Sequence, residues 1–454
     1  MSMEHEEYQR DEEMLERRRM KRLEMKRRRQ MQQRIILGAF AVLLILIIVL
    51  IARGCSSNEP TELPEDIVTP PVEEQEPEIH VDPDTTATLA AVGDIMMYDS
   101  NIAAGLQEDQ TYDFSAFFEA ISPYTISPDL TVGNLELNML GTGPYLGNTQ
   151  TTPYFNAPEA LAANLSAIGF DILQTANTYS IMNGTKGLQS TIDVLNKNSI
   201  DHVGTHASDP DQSPSGGVVL REVNGIKIAF IGFTKGVNNM ALPANNKYAV
   251  DLLYVDYNST YEQVDATGIL KRVDAAKATG ADVIVAMVHW GSEYDLEISQ
   301  TQTEIRNLLF KNGVDVILGS HPHVVGPMEM VDVETTEGEQ KKCFVAYSLG
   351  NFLSDMEKDY TMESCILNLE FTKSGETGKT TITDVSYMPV YILDRGEGAE
   401  TRFEVLPIRN AIKSDLFQAY EADMTAAIEH LNENTQMPAE DSSTVSSVNY
   451  DSGN

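Results

Sequence analysis

Cysteine, histidine and basic residues are all scarce in this chain. Three cysteines among 454 residues exclude a disulfide framework as the main source of stability. Cys343 and Cys365 could face one another across neighbouring strands, but buried free thiols are the commoner state of such residues. Lys and Arg number 32 against 68 Asp and Glu, a formal net charge of −36. That balance excludes nucleic acid as a partner, because phosphate backbones require clustered cations. With only eight histidines, any place where several gather stands out. No internal repeat is visible.

What is present is unevenly distributed. Residues 1–34 hold 11 of the Lys and Arg against 8 acids, leaving 21 cations against 60 acids, a formal −39, on everything after. Between arm and body lies "IILGAFAVLLILIIVLIA", residues 35–52, uncharged and bounded by Arg34 and Arg53. About 20 apolar residues cross a bilayer, so this run predicts one transmembrane helix. The basic excess before it places residues 1–34 as a cytoplasmic arm and the body outside, anchored in the cell membrane as a single-pass protein. A cleaved signal peptide is the rival reading, which the long arm disfavours. Lipidation at Cys55 in "ARGCSS" is disfavoured by Arg53. Residues 53–85 form an acidic, Pro-rich linker, and residues 436–454 a tail expected to be disordered, since neither can bury enough apolar area to offset chain entropy.

The length suffices for a well-buried core, and residues 86–410 carry it. Short apolar runs such as "TATLAAVGD", "DLTVGNLE", "FDILQTAN", "IKIAFIGF", "DVIVAMVHW", "VDVILGSH" and "CFVAYSLGN" read as strands covered on both faces. They alternate with helical stretches such as "APEALAANLSAIG", "GLQSTIDVLNKN", "ILKRVDAAKATG" and "TQTEIRNLLFKNG", which predicts an α/β sandwich. A last helix over about 411–433, within a C-terminal segment 411–435, would place Ile412, Leu416, Tyr420, Met424 and Ile428 on one packing stripe.

Polar residues cluster where the strands end. Asp94 closes "AAVGD", Asn134 and Glu136 close "LTVGNLE", and Asn177 closes "ILQTAN". His289 follows "VIVAMV", His321 and His323 follow "VILGS", and Asn351 ends "VAYSLGN". Ligands bind at this edge of α/β sheets, and carboxylates, amides and imidazoles are the donors a pair of divalent ions needs. Taken singly, each has an ordinary explanation: Asp94 as a turn residue after Gly93, His289 as a packed core histidine beside Trp290, His321 and His323 as an exposed loop. His202 and His206 in "DHVGTHASD" read as loop residues, with His206 a spare ligand at most.

The motifs "VGDIMM", "GNLE", "VHWGSEYD", "GSHPHVVGPME" and "YSLGNFLSD", in this order over residues 92–355, resemble the CapA family of poly-γ-glutamate capsule biosynthesis proteins, part of the calcineurin-like metallophosphatase superfamily. The resemblance implies a four-layer αββα sandwich with a two-metal centre (Mn, Fe or Zn) at the strand ends. It implies Asp94, a bridging Glu136, Asn177, His289, His321 and His323 as metal ligands. Asn134, Trp290, Glu293 and Asn351 complete the candidate set. Two positions depart from the pattern. Met96 stands where broader metallophosphatases carry a histidine, and Tyr179 in "ANTY" stands where the family places a proton-donating histidine. Tyr179 and His289 are thus the candidate catalytic residues, although a tyrosine is a poor base at neutral pH.

Two functions follow from this reading. One is a metal-dependent hydrolase or transferase acting on capsule polymer or a phosphoester. The other is a non-catalytic accessory protein that guides or anchors poly-γ-glutamate, or a related anionic polymer, beside capsule synthase subunits. A purely structural domain would not need such a set of strand-end donors. The orientation has its own test: protease added outside intact cells is expected to remove the folded domain, and a protected domain overturns the assignment.

Overall fold

The computed structural model describes residues 82–147 and 155–437. The basic arm, the apolar run 35–52, Cys55, nearly all of the acidic linker and the tail beyond 437 lie outside the described residues. Among the described residues, no helix is long and apolar enough to cross a membrane.

Two sheets form the frame. The strands in chain order are β1 (Thr85–Ile95), β2 (Leu130–Leu135), β3 (Ile172–Gln174), β4 (Asp201–Val203), β5 (Val219–Val223), β6 (Ile226–Thr234), β7 (Val283–His289), β8 (Val316–Ser320), β9 (Met328–Glu334), β10 (Gln340–Ala346), β11 (Asn351–Leu353), β12 (Glu363–Lys373), β13 (Thr380–Asp394) and β14 (Phe403–Pro407). One sheet runs β14-β13-β12-β1-β2-β3-β4, with β11 also paired to β1, and the other runs β5-β6-β7-β8-β10-β9. Strands β1 to β4 are mutually parallel, as are β6, β7, β8 and β10, while antiparallel strands flank each parallel core.

Period-two burial on both faces explains the continuous apolar runs. In β1, Ala87, Leu89 and Ala91 face β6 and β7 residues such as Ile228, Phe230, Val285 and Met287, forming the core between the sheets. Ala90 and Val92, on the other face of β1, share a second cluster with Leu161, Leu165 and Leu195 of helices α1 (Ala160–Ala167) and α2 (Gly184–Lys197). The outer face of the second sheet, with Ile231, Ala286 and Val288, packs on Ile269, Val273, Ile305 and Leu309 of α3 (Ala266–Ala278) and α4 (Gln300–Lys311). Three apolar layers therefore separate four structural layers, helix, sheet, sheet and helix. Ser299 caps α4 in a reciprocal pair with Gln302, which satisfies two otherwise orphaned N–H groups.

Several expectations need correction. The segment read as one helix over 411–433 is broken into a short helical turn at Ile408–Ala411, a 3-10 turn at Asp415–Tyr420 and α5 at Glu421–Thr435. Its buried apolar residues are Ile408, Ala411, Phe417, Met424, Ala427 and Leu431, with Ile412, Tyr420 and Ile428 of the expected stripe partly buried against the same core, whereas Leu416 is exposed. The break follows from Ser414, whose hydroxyl caps the N–H of Leu416, the local bonding by which serine competes with helix continuation. Cys343 and Cys365, by contrast, are free, buried thiols as expected, and lie on different sheets. His202 lies on β4, not in a loop.

Close packing at the strand ends requires glycine. A Cβ on Gly93 would sit 1.9 Å from the Gly350 carbonyl oxygen, and one on Gly319 would sit 2.0 Å from that of Tyr347. These obstacles are backbone and cannot swing aside. Gly93→Ala is expected to destabilise the protein by about 3 kcal/mol, the upper range for overpacking, as read by denaturant unfolding; an unchanged midpoint would contradict this close approach.

Candidate metal centre

Strand register brings the site together. Asp94 on β1 is aligned with Asn134 on β2 and with Asn351 on β11. In the second sheet, His289 on β7 lies between Thr234 of β6 and Ser320 of β8. The parallel strands of both sheets thus deliver their polar residues to one edge.

Asp94, Glu136 and His289 are fully buried, and His321 and His323 nearly so. Two groups of three offer ligand atoms lying within 4.8 Å of one another: Asp94, Glu136 and His289, and Glu136, His321 and His323. Glu136 belongs to both. A carboxylate shared by two such groups is what a bridge between neighbouring divalent ions requires.

The surrounding hydrogen bonds hold these donors in place. Asn134 Nδ2 donates to Asp94 Oδ1 at 2.7 Å and to Glu136 Oε2 at 3.2 Å, so one amide orients both carboxylates. His289 has Ser320 Oγ 3.0 Å from Nδ1 and Thr178 Oγ1 3.0 Å from Nε2, with Glu136 Oε1 3.4 Å from Nε2. His323 Nδ1 lies 2.9 Å from Asp94 Oδ2 and 3.1 Å from Asn351 Oδ1. Asn351 is itself anchored through Nδ2 to Ser354 and the Thr361 carbonyl. Such partners fix the ring orientation of a ligating histidine.

Pro322 sits between two residues in the left-handed region. His321 has φ of +95° and His323 of +61°, conformations that cost non-glycine residues energy and persist only where the surroundings enforce them. The enforcement is visible: the His321 N–H donates to Asp94 Oδ2 at 3.3 Å, and the Pro322 carbonyl accepts from the Tyr294 N–H at 2.8 Å.

The candidate residues do not all face the centre. Asn177 uses Nδ2 on the Leu135 carbonyl at 2.7 Å and on Asn134 Oδ1 at 3.1 Å, while its Oδ1 accepts from the Tyr179 N–H at 3.1 Å. It is a link in the network in this arrangement. Trp290, expected as an additional site residue, is core: its ring stacks on Tyr347 and its Nε1 donates to the Tyr347 carbonyl at 2.9 Å. Glu293 is exposed, at the rim. His206 is committed elsewhere, 2.8 Å from Asp251, which also pairs bidentately with Arg272. Tyr179 is half-buried, with its ring 4.2 Å from that of Phe155. Burial, together with the negative charges of Glu136 and Glu293, drives its phenol pKa far above 10, so it stays protonated.

The residues fit metal. At the centre, two buried ligand atoms receive no hydrogen bond among the described residues, Glu136 Oε1 and His321 Nδ1, and each would cost about 1–3 kcal/mol if left unsatisfied. Burial and the neighbouring His289, His323 and Lys235 hold His321 well below the usual histidine range, which keeps its imidazole neutral as ligation needs. Three residues here were not among the candidates: Thr178 and Ser320, which lie inside the motifs "ANTY" and "GSHPHVVGPME", and Lys235. Lys235 stands one residue beyond β6, a strand end that the polar-terminus pattern would have flagged.

With the geometry established, comparison with known proteins is informative. A family model described as bacterial capsule synthesis protein PGA_cap matches residues 88–356. The chain belongs to this family. Among relatives, it is 27% identical over 303 residues to capsule biosynthesis protein CapA of Bacillus anthracis, a match spanning 66% of each chain. It is 26% identical over 309 residues to PGA biosynthesis protein CapA of Bacillus subtilis strain 168, covering 68% of this chain and 74% of that one. Two solved structures align at low similarity: a phosphatase from Mycoplasma pneumoniae, at 13% identity and TM-score 0.37, covering 74% of this chain and 99% of that one, and TT1561 of Thermus thermophilus, at 11% identity and TM-score 0.33, covering 66% and 99%. The matched family region contains every candidate ligand.

In the metal-free protein the His323–Asp94 pair makes folding depend on pH. Burial opposes charge on His323, but the hydrogen bond and charge of Asp94, aided by Glu136 and Glu293, overcome it and raise its pKa to about 9. Burial likewise opposes charge on Asp94, and the His323 pair outweighs it, leaving that carboxyl below its usual value. A raised histidine stabilises fully below the unfolded value of about 6.5 and loses its contribution as pH climbs through the folded one. Metal-free protein is expected to lose stability between pH 6.5 and about 9, and Asp94→Asn to flatten that loss, as read by denaturant midpoints across pH. Calorimetry in buffers of different ionisation heat should show about one proton released per centre filled with Mn²⁺ near pH 7.5, from His323; no release would contradict the charged pair.

Proposed function

We propose that this protein is a membrane-anchored, extracytoplasmic member of its capsule synthesis family that acts as a metal-dependent hydrolase or transferase on poly-γ-glutamate or a related phosphoester. The observation that carries the reading is Glu136, shared by two groups of buried ligand residues. Two divalent ions held by Asp94, Glu136, His289, His321 and His323 would supply Lewis acidity toward a carbonyl or phosphoryl oxygen. Four-layer packing and the strand-end location are consistent with metallophosphatase-type chemistry, and the capsule role of the CapA relatives points to the polymer or its attachment as the substrate. The apolar run 35–52 after a basic arm supports the anchor and its orientation.

The chain's own residues set what can happen there. Asn134 donates to both carboxylates through one amide nitrogen and so fixes their orientation. Ser320 and Thr178 hold the His289 ring. Tyr179 remains neutral and can donate a hydrogen bond or a proton from its hydroxyl, but it does not accept one at neutral pH. Tyr179 also favours the second reading, a non-catalytic accessory protein that binds polymer beside capsule synthase subunits, because it replaces the imidazole that could shuttle protons.

One experiment separates the readings. Purified protein is expected to carry up to two divalent ions by elemental analysis, and Glu136→Gln to carry fewer. Assayed on generic phosphodiesters and on polyglutamate with Mn²⁺ or Zn²⁺, a hydrolase turns over. Metal without turnover, with activity gained in Tyr179→His, supports the accessory reading. Wild-type protein that takes up no metal refutes the centre.

A further inference from the structure

Lys235 is a half-buried lysine whose ammonium faces no carboxylate within ion-pairing distance among the described residues. Lys341 and Lys373, also half-buried, each face a carboxylate, Asp315 at 2.7 Å and Asp282 at 2.8 Å. The Lys235 ammonium donates to the Gly291 carbonyl at 2.6 Å and lies 4.9 Å from the centroid of the Tyr261 ring. A carbonyl and an aromatic face satisfy the hydrogen-bonding group in part, but neither neutralises its charge.

Its position is equally specific. Lys235 follows β6 directly, and its N–H donates to the carbonyl of His289 at 2.8 Å. Gly291, which holds the ammonium, is two residues beyond His289, and its own loop leads to Glu293 and Tyr294 at the rim. The backbone bond to His289 and the ammonium's bond to Gly291, two residues further on, place the cation beside the segment that carries a candidate ligand.

Charge bookkeeping then indicates a ligand. The body as a whole repels anions, with 60 acids against 21 cations after residue 34. Locally the balance would reverse with metal bound: two divalent ions held by Asp94, Glu136 and the three histidines would leave the centre cationic, and Lys235 would add to that excess. A partly desolvated ammonium with donors to spare beside such a centre suits a charge-assisted bond to an oxyanion.

Resting on the metal-centre reading above, we propose that Lys235 is a substrate-binding residue that grips an anionic oxygen group, phosphate or carboxylate, of the molecule engaged at the centre. The interaction is local, so it holds the reacting group in register despite the long-range repulsion of an acidic body.

The test is a calorimetric titration of the Mn²⁺-loaded full chain with inorganic phosphate and, separately, with a trimer of γ-linked glutamate. Lys235→Met is expected to keep the wild-type metal content and to weaken binding by about tenfold or more, the scale of one hydrogen bond to a charged group. Lys235→Arg should restore most of the affinity. The probe whose binding falls identifies the oxyanion as phosphate or carboxylate. Metal-loaded Lys235→Met that binds both probes like wild type overturns the proposal, as does wild type that loads metal and binds neither. Wild type that takes up no metal refutes the metal-centre reading instead, and the same comparison on metal-free protein then decides Lys235 alone: weaker binding by Lys235→Met supports the grip, and equal binding overturns it.

Discussion

A buried carboxylate at the seam between two sheets organises this molecule. Asp94 ends a strand of the first sheet and accepts Asn134 Nδ2 from the same sheet, while its other oxygen meets His323 Nδ1 and the His321 N–H from the second. Removing such a carboxylate from water costs several kcal/mol, which only well-aimed partners offset. Those partners come from both sheets. The cost of burying Asp94 is thus met by docking the sheets at their carboxyl edges, and docking is what creates the centre. Gly93 and Gly350 permit the close backbone approach on one side, and Gly319 does so on the other.

Much of this was legible in sequence because two strong regularities coincide. Continuous apolar runs bounded by polar residues identify strands covered on both faces, and α/β connectivity puts their carboxyl ends on one edge. Asp94, Glu136, His289, His321 and His323 were readable because each follows such a run directly. What escaped depends on three-dimensional context. Lys235 follows the β6 run as regularly as His289 follows that of β7, yet a lone lysine has no characteristic partner in sequence. Trp290 adjoins a ligand in sequence but points into the core, since neighbours on a strand face opposite ways. The stripe from Ile412 to Ile428 has helical spacing, but Ser414 interrupts the helix, a local hydrogen-bond choice that periodicity does not register. The positive φ values of His321 and His323 were also invisible, because they are imposed by Asp94 and Tyr294 from elsewhere in the chain.

The same low-dielectric surroundings that make the centre costly also make it selective. Several groups there are paired or held neutral: His323 with Asp94, His321 by burial, Tyr179 by burial and nearby acids. Lys235 keeps its charge with no carboxylate within ion-pairing distance among the described residues. In a body that is strongly acidic overall, such an arrangement confines attraction for anions to a few ångströms around the strand ends, since exposed charges are screened over roughly 10 Å at moderate salt while buried ones are screened less. An anionic polymer would be repelled from the general surface and admitted only at the centre.

Tyr179 decides how far the chemistry can go. An imidazole near pH 7 can both give and take a proton within one cycle, because its two states are close in energy. The Tyr179 phenol, pushed upward by burial and by Glu136 and Glu293, can give a proton only to a group that becomes strongly basic in the transition state, and it is not available as a base at neutral pH. Bringing cations to the centre would reduce the field of Glu136 at the phenol and narrow that gap without closing it, because burial is the larger cause. A reaction whose leaving group departs without prompt protonation tolerates this substitution, as a phosphoester with an acidic alcohol would. Cleavage of a γ-glutamyl amide requires protonation of the departing nitrogen, which becomes strongly basic as its bond breaks and so can take the proton of a neutral phenol. On the reading proposed above, residue 179 therefore limits the reaction to one in which the phenol donates a proton and does not serve as a base.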